Sequence, residues 1–115
     1  MTVQELIDKG VFEVINVGDN LGKVITKPFC CDLLSIAMGK APADSAWVTV
    51  MGNINTLAVA ALTDIACIIL AEGAVLDVPA LNKAKVQNIT VLSTDKPIFD
   101  TSLMVYEMIH ASDNL

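Results

Sequence analysis

The chain has 115 residues, 54% of them hydrophobic and 17% charged, with a formal charge of −6. That length implies one domain with one core, residues 1–115, and the apolar content excludes intrinsic disorder. The acidic balance and the absence of arginine among the seven basic residues argue against duplex nucleic acid and anionic membranes as partners, while one nucleotide held by backbone N–H groups stays open.

Thr2 followed by Glu5 is a capping-box pattern, so a short helix opens the chain and Gly10 ends it. Residues 11–17 are β-branched and weakly alternating, which predicts a strand; Gly18-Asp19-Asn20 is a turn. Residues 24–31 read as a second strand, with Pro28 placing it at an edge or a bulge. Asp32 is then expected to cap a helix over 33–38 that stops at Gly39.

Residues 46–51 predict a strand, and Asn53 or Asn55 caps the next helix, with Ile54, Leu57, Ala58 and Ala61 on its inner face. The continuous apolar run 65–70 suits a strand buried on both faces. Asp77 with Pro79 opens another helix, residues 90–93 form the last strand, and Thr94 or Asp95 with Pro97 opens the C-terminal helix. The inner stripe of that helix is expected at Ile98, Val105, Tyr106 and Ile109. Strands alternating with helices at short spacing argue an α/β fold, a single compact domain with a mainly parallel sheet flanked by helices.

The chain contains no phosphate-binding loop, dinucleotide fingerprint, nucleophile elbow or zincin motif, so no catalytic residue and no metal ligand is assigned. The single histidine, His110, suits the end of a helix better than a general base. Cys30, Cys31 and Cys67 lack the spacing of a disulfide framework or a zinc site and read as reduced thiols of a cytoplasmic protein. On a strand, Cys30 and Cys31 point to opposite faces. No signal peptide is expected at the start, and the longest apolar run, 57–70, is broken by Thr63-Asp64 and too short to span a bilayer.

Ligands of parallel α/β sheets favour the carboxyl ends of strands and the helix starts that follow. That places candidate ligand residues at Thr49, Gly52, Asn53 and Asn55, at Ser93 and Thr94, and, as a second lining, at Asp32 and Ser35. Gly52 would let a ligand approach the backbone closely, and Glu72-Gly73 falls at an equivalent strand end, with a plain turn the preferred reading. Val59, Leu62, Met104 and Met108 lie outside the expected inner stripes and are candidate interface residues. The apolar surplus points the same way, to a homo-oligomer, a dimer first.

The stretch Leu21-Gly22-Lys23-Val24-Ile25-Thr26-Lys27-Pro28-Phe29-Cys30-Cys31-Asp32-Leu33-Leu34-Ser35, followed by Ala46-Trp47-Val48-Thr49, Asp64-Ile65-Ala66-Cys67-Ile68-Ile69, Glu72-Gly73 and Val91-Leu92-Ser93-Thr94, resembles DRTGG-domain proteins along nearly the whole chain. The namesake segment would fall on Gly22-Lys23 and Thr26-Lys27-Pro28, where only Thr26 and a basic residue at Lys23 are kept. The resemblance implies a fold similar to the N-terminal domain of HPr kinase/phosphorylase. It also implies a non-catalytic regulatory or assembly module, such as those attached to phosphotransacetylases and to pyrophosphatases with CBS domains. Stand-alone versions are similar to proteins encoded near iron-only hydrogenase genes in anaerobic bacteria. The resulting expectation is a ligand-sensing homo-oligomer without a cofactor, or else an assembly subunit that works with an enzyme partner and binds no small ligand.

Overall fold

The structure is a computed structural model and describes residues 1–111. Local chemistry sets several element ends. The Thr2 hydroxyl accepts from the Glu5 N–H and the Glu5 carboxylate accepts from the Thr2 N–H, both at 3.1 Å, which starts α1 (Val3–Asp8). These hydrogen bonds hold the Glu5 carboxyl below its usual value. Gly10, at φ +70°, takes the left-handed turn that leads into β1 (Glu13–Asn16).

The strand expected over 24–31 is reduced to β2 (Pro28–Cys30). Residues before it are drawn elsewhere: Val24 bridges to Thr2, and the Val3 and Gln4 N–H groups donate to the carbonyls of Lys23 and Leu21. The segment that carries the family resemblance therefore helps to cap α1. Helix α2 (Leu34–Lys40) runs through Gly39 and ends where Pro42 forces the preceding residue, Ala41, into extended backbone. Its N-cap is Leu33, with no side-chain hydrogen bond, so Asp32 is not the expected cap.

Strand β3 (Ala46–Thr49) leads to α3 (Ile54–Thr63), capped by Asn53, whose side chain accepts from the N–H groups of Asn55 and Thr56. Strand β4 (Cys67–Leu70) leads to α4 (Val78–Gln87), capped by Asp77 as expected. Strand β5 (Val91–Ser93) leads to α5 (Ile98–His110), whose N-cap is Pro97 rather than Thr94 or Asp95. The inner face of α3 also differs from expectation, since Thr56, Leu57, Val59 and Ala60 are buried while Ile54 and Ala61 are exposed. That helix is apolar almost all round, so its own sequence does not choose a face.

The five strands form one sheet in the order β1-β5-β4-β3-β2. Strands β2 to β5 are parallel, and β1 joins the far edge antiparallel to β5. Every residue of β3 and β4 is buried, as strands covered on both faces require. Alternate residues serve two cores: Val48, Ile69 and Leu92 pack with Val3, Leu6 and Val105 of α1 and α5. Trp47, Ile68, Leu70 and Val91 pack with Ala37, Leu57, Ala80 and Ala84 of α2, α3 and α4. The single compact α/β domain with a mainly parallel, helix-flanked sheet is what the alternating pattern implies.

At the amino end of the parallel strands, Lys23 ties loops together. Its ammonium lies 2.9 Å from Asp64 Oδ1 and 3.1 Å from Asp44 Oδ1, and donates to the Asp64 carbonyl that ends α3. Partial burial opposes its charge, but Asp64 and Asp44 outweigh that and hold Lys23 above its usual value.

Candidate functional site

The register aligns Thr49 with Leu70, Leu70 with Ser93, and Ser93 with Glu13, a row across four strands at the carboxyl end of the parallel sheet. Paired residues share a face. Leu70 faces the α2–α4 layer, so Glu13 and Ser93 face it too. Above the β1 and β5 part of this row lies an open cleft of about 550 Å³. Glu13, Ile15, Leu70 and Ser93 form its floor, and residues 73–76 with Thr94 and Asp95 form its walls.

Those walls are held by backbone bonds. Residues 71–74 make a tight turn closed by the Ala74 N–H on the Ala71 carbonyl, with Glu72 (φ +61°) and Gly73 (φ +72°) both left-handed. The Glu72 N–H donates to Lys96 O and the Gly73 N–H to Thr94 O, which couples the β4–α4 loop to the β5–α5 loop. Left-handed backbone at a non-glycine residue is held here by its neighbours, beside the cleft. Glu72-Gly73 forms the expected turn, and Gly73 also lines the cleft.

The expected ligand residues divide. Ser93 and Thr94 line the cleft. Thr49 belongs to the same row but is fully buried, and its hydroxyl donates at 2.7 Å to Asp32 Oδ1, which also accepts from the Val50 N–H at 2.9 Å. Asp32 therefore clamps the end of β3 and leaves an exposed carboxylate near the sheet's other edge. Ser35 and Asn55 are exposed on α2 and α3, and neither lines the cleft.

Gly52 is needed for a different reason from the one expected. A Cβ there would sit 2.2 Å from the Val75 carbonyl oxygen, so the backbone that approaches closely is the chain's own. Asp77 N–H donates to Gly52 O in the same contact. Gly52 thus buttresses the cleft wall without facing its interior.

Sequence reasoning missed Val11, Glu13 and Ile15, because only the antiparallel pairing of β1 brings them to the carboxyl end of β5. It also missed Asp95, whose carboxylate would stand 3.3 Å from a Cβ on Gly73. With Glu13 and Asp95 and no lysine among its lining residues, the cleft repels multiply charged anions. It suits a neutral or cationic small molecule, with Ser93 and Thr94 available as hydrogen-bonding groups. A second cleft of about 190 Å³ lies near Asn20, Lys23 and Asp64, where Asn20 is already bonded to Ala66 O and Thr90 Oγ1.

Among the described residues, no group of three or more His, Cys, Asp or Glu side chains is placed to hold a metal ion. No helix among them is long and apolar enough to cross a membrane. Cys30 and Cys31 face opposite sides of the sheet: Cys30 Sγ lies 2.7 Å from Ser102 Oγ of α5, while Cys31 packs in the α2–α4 layer. Cys67 is fully buried, which pushes its thiol up to about 12. His110 stacks on Tyr106 at 4.1 Å with Nδ1 2.8 Å from the Tyr106 carbonyl.

The expected interface residues divide as well. Val59 is 7% exposed and spent on the α3 core, so it presents no surface. Met104 and Met108 are half-buried against the α1–α5 core, and Leu62 is exposed.

No family model and no curated protein matches the chain. Among solved structures it is similar to the CBS and DRTGG domains of the regulatory region of a Clostridium perfringens pyrophosphatase, complexed with its activator diadenosine tetraphosphate. The TM-score is 0.70 at 15% identity, over 90% of this chain and 45% of that one. The chain thus spans less than half the length of that structure, and at this identity the likeness is one of fold alone. The architecture is DRTGG-like, and an acidic cleft lies on the sheet.

Proposed function

We propose that the chain is a DRTGG-type regulatory module without chemistry of its own, which senses a small molecule in the cleft between β1, β5 and the β4–α4 loop and works as a homo-oligomer. The observation that carries this reading is the cleft itself. Its apolar floor and wall (Ile15, Leu70, Val75, Leu76) alternate with a few convergent polar groups (Glu13, Ser93, Thr94, Asp95), the usual composition of a small-molecule site. The shared fold with a nucleotide-activated regulatory region supports a sensing role. A nucleoside or nucleotide would bind here by its base and sugar, with any phosphate directed out of the acidic cleft. The resemblance of the sequence to stand-alone DRTGG proteins supports a cytoplasmic setting in anaerobic energy or hydrogenase metabolism.

Native mass spectrometry of gently purified protein, followed by titration with nucleosides, nucleotides and small amines, tests this. The expected result is one small molecule bound per chain, lost in Ser93→Phe, which fills the floor, while circular dichroism is unchanged. Binding by neither protein, or equal binding by both, overturns the cleft assignment.

Large apolar side chains exposed on several elements favour a second reading, an assembly subunit that docks an enzyme partner and needs no ligand. A stable complex formed by the Ser93→Phe variant as well as by the wild type would distinguish it.

A further inference from the structure

Helix α5 carries an apolar stripe that the described residues leave uncovered. Phe99 is 71% exposed, Leu103 41% and Tyr106 51%, and His110 extends the series. At about 100° per residue these four positions fall within a narrow arc on one flank of the helix. The core-facing residues Thr101 and Val105 lie on another side, and Asp100 and Glu107 border the stripe on its far margin. Ser102 forms the shoulder between core and stripe and meets Cys30 of β2, so the stripe lies on the side of the open sheet edge.

We infer that this flank of α5 binds the same flank of a second copy, in an antiparallel pair about a two-fold axis. The spacing is self-complementary: antiparallel pairing sets Leu103 against the partner's Tyr106 and Phe99 against the partner's His110. The same register brings Asp100, in the first turn, beside the partner's His110, in the last turn. The two helix dipoles then run in opposite senses, so a positive helix end meets a negative one at both ends of the contact. A parallel pair would bring Asp100 and Glu107 towards their own copies in a chain already carrying −6. The stacked Tyr106–His110 pair, held by the bond to the Tyr106 carbonyl, presents a fixed aromatic surface for this contact.

This interface deepens the homo-oligomer part of the reading above and is tested apart from the cleft. Sedimentation equilibrium across micromolar concentrations is expected to give a dimer for the wild type and a monomer for Leu103→Glu. Phe99→Glu is expected to behave in the same way. These side chains lie outside both cores, so an unchanged circular dichroism spectrum serves as the control for folding. In a Cys30→Ser background, mixing Leu103→Cys with Tyr106→Cys protein is expected to yield a disulfide-linked heterodimer, with little from either alone. A monomeric wild type, a dimer that persists in both Glu variants, or cross-linking of each cysteine variant only with itself overturns the inference. In the last two cases the copies meet through another surface or register, and the cleft assignment is unaffected.

Discussion

Three thiols in one small chain have three environments, and burial decides which can react. Cys30 is exposed beside Ser102, Cys31 is half-buried, and Cys67 is enclosed by the sheet, with its thiol pushed up to about 12. Folding therefore favours the neutral form of Cys67. The contribution is fully present below the unfolded value of a cysteine, near 8.5, and is lost as pH rises towards the folded value. Lys23, held above its usual value, contributes in the same direction at still higher pH. Urea unfolding is thus expected to show constant stability from neutral pH to about 8.5, then a decline approaching about 1.4 kcal/mol per pH unit. Cys67→Ala should flatten that decline between about pH 8.5 and 10, and an unchanged slope would show that other groups govern it. A second residue-scale contrast concerns the two asparagines. Asn53→Ala should cost about 1 kcal/mol through loss of the α3 cap, and Asn55→Ala less than about 0.5 kcal/mol, by thermal or urea unfolding.

Elements whose ends are fixed by neighbouring side chains are legible in the chain itself. The Thr2–Glu5 box, the Asn53 and Asp77 caps and the doubly buried β4 all follow from contacts within a few residues or from a continuous apolar run. What depends on distant partners is not legible. Asp32 has the right residue type and position for a cap, but Thr49 and the Val50 N–H, 17 and 18 residues away, compete for its carboxylate and win. Val59 reads as surplus because α3 has no polar side to orient it, and only packing on the sheet settles the matter. The cleft suffers most, because an antiparallel β1 supplies part of its floor, and nothing local in residues 11–17 announces its direction. Gly52 belongs between these cases, visible as a glycine after a strand but not as a buttress. Gly52→Ala is expected to destabilise by about 2 kcal/mol or more, because its Cβ must displace the Val75 backbone. Gly22→Ala, with open space around it, should change stability by less than about 0.5 kcal/mol. Equal effects of the two on the urea midpoint would mean that the 75–77 loop yields freely.

At the scale of the whole molecule, the cleft and the α5 flank are close neighbours in the chain. Thr94 and Asp95 line the cleft, Pro97 caps α5, and the stripe begins at Phe99. Between them the Lys96 and Thr94 carbonyls are bonded to the left-handed turn at Glu72 and Gly73. A ligand that draws the 73–76 wall towards Ser93 therefore pulls on the segment that sets where α5 begins. A ligand moves an assembly equilibrium only by its difference in affinity for the two forms, and the effect is reciprocal. If the cleft reports to α5, dimerisation tightens the ligand at each of the two sites by a factor within roughly 5- to 150-fold for ordinary coupling, and saturating ligand tightens the dimer by the square of that factor. The expected outcome is weaker ligand binding by monomeric Leu103→Glu than by wild-type dimer, together with a fall in the wild-type dimer dissociation constant by the square of that factor when ligand is saturating. Calorimetry and sedimentation measure the two factors separately. Agreement between them establishes the coupling, and equal ligand affinity in monomer and dimer would leave the cleft and the interface as two independent sites on one small sheet.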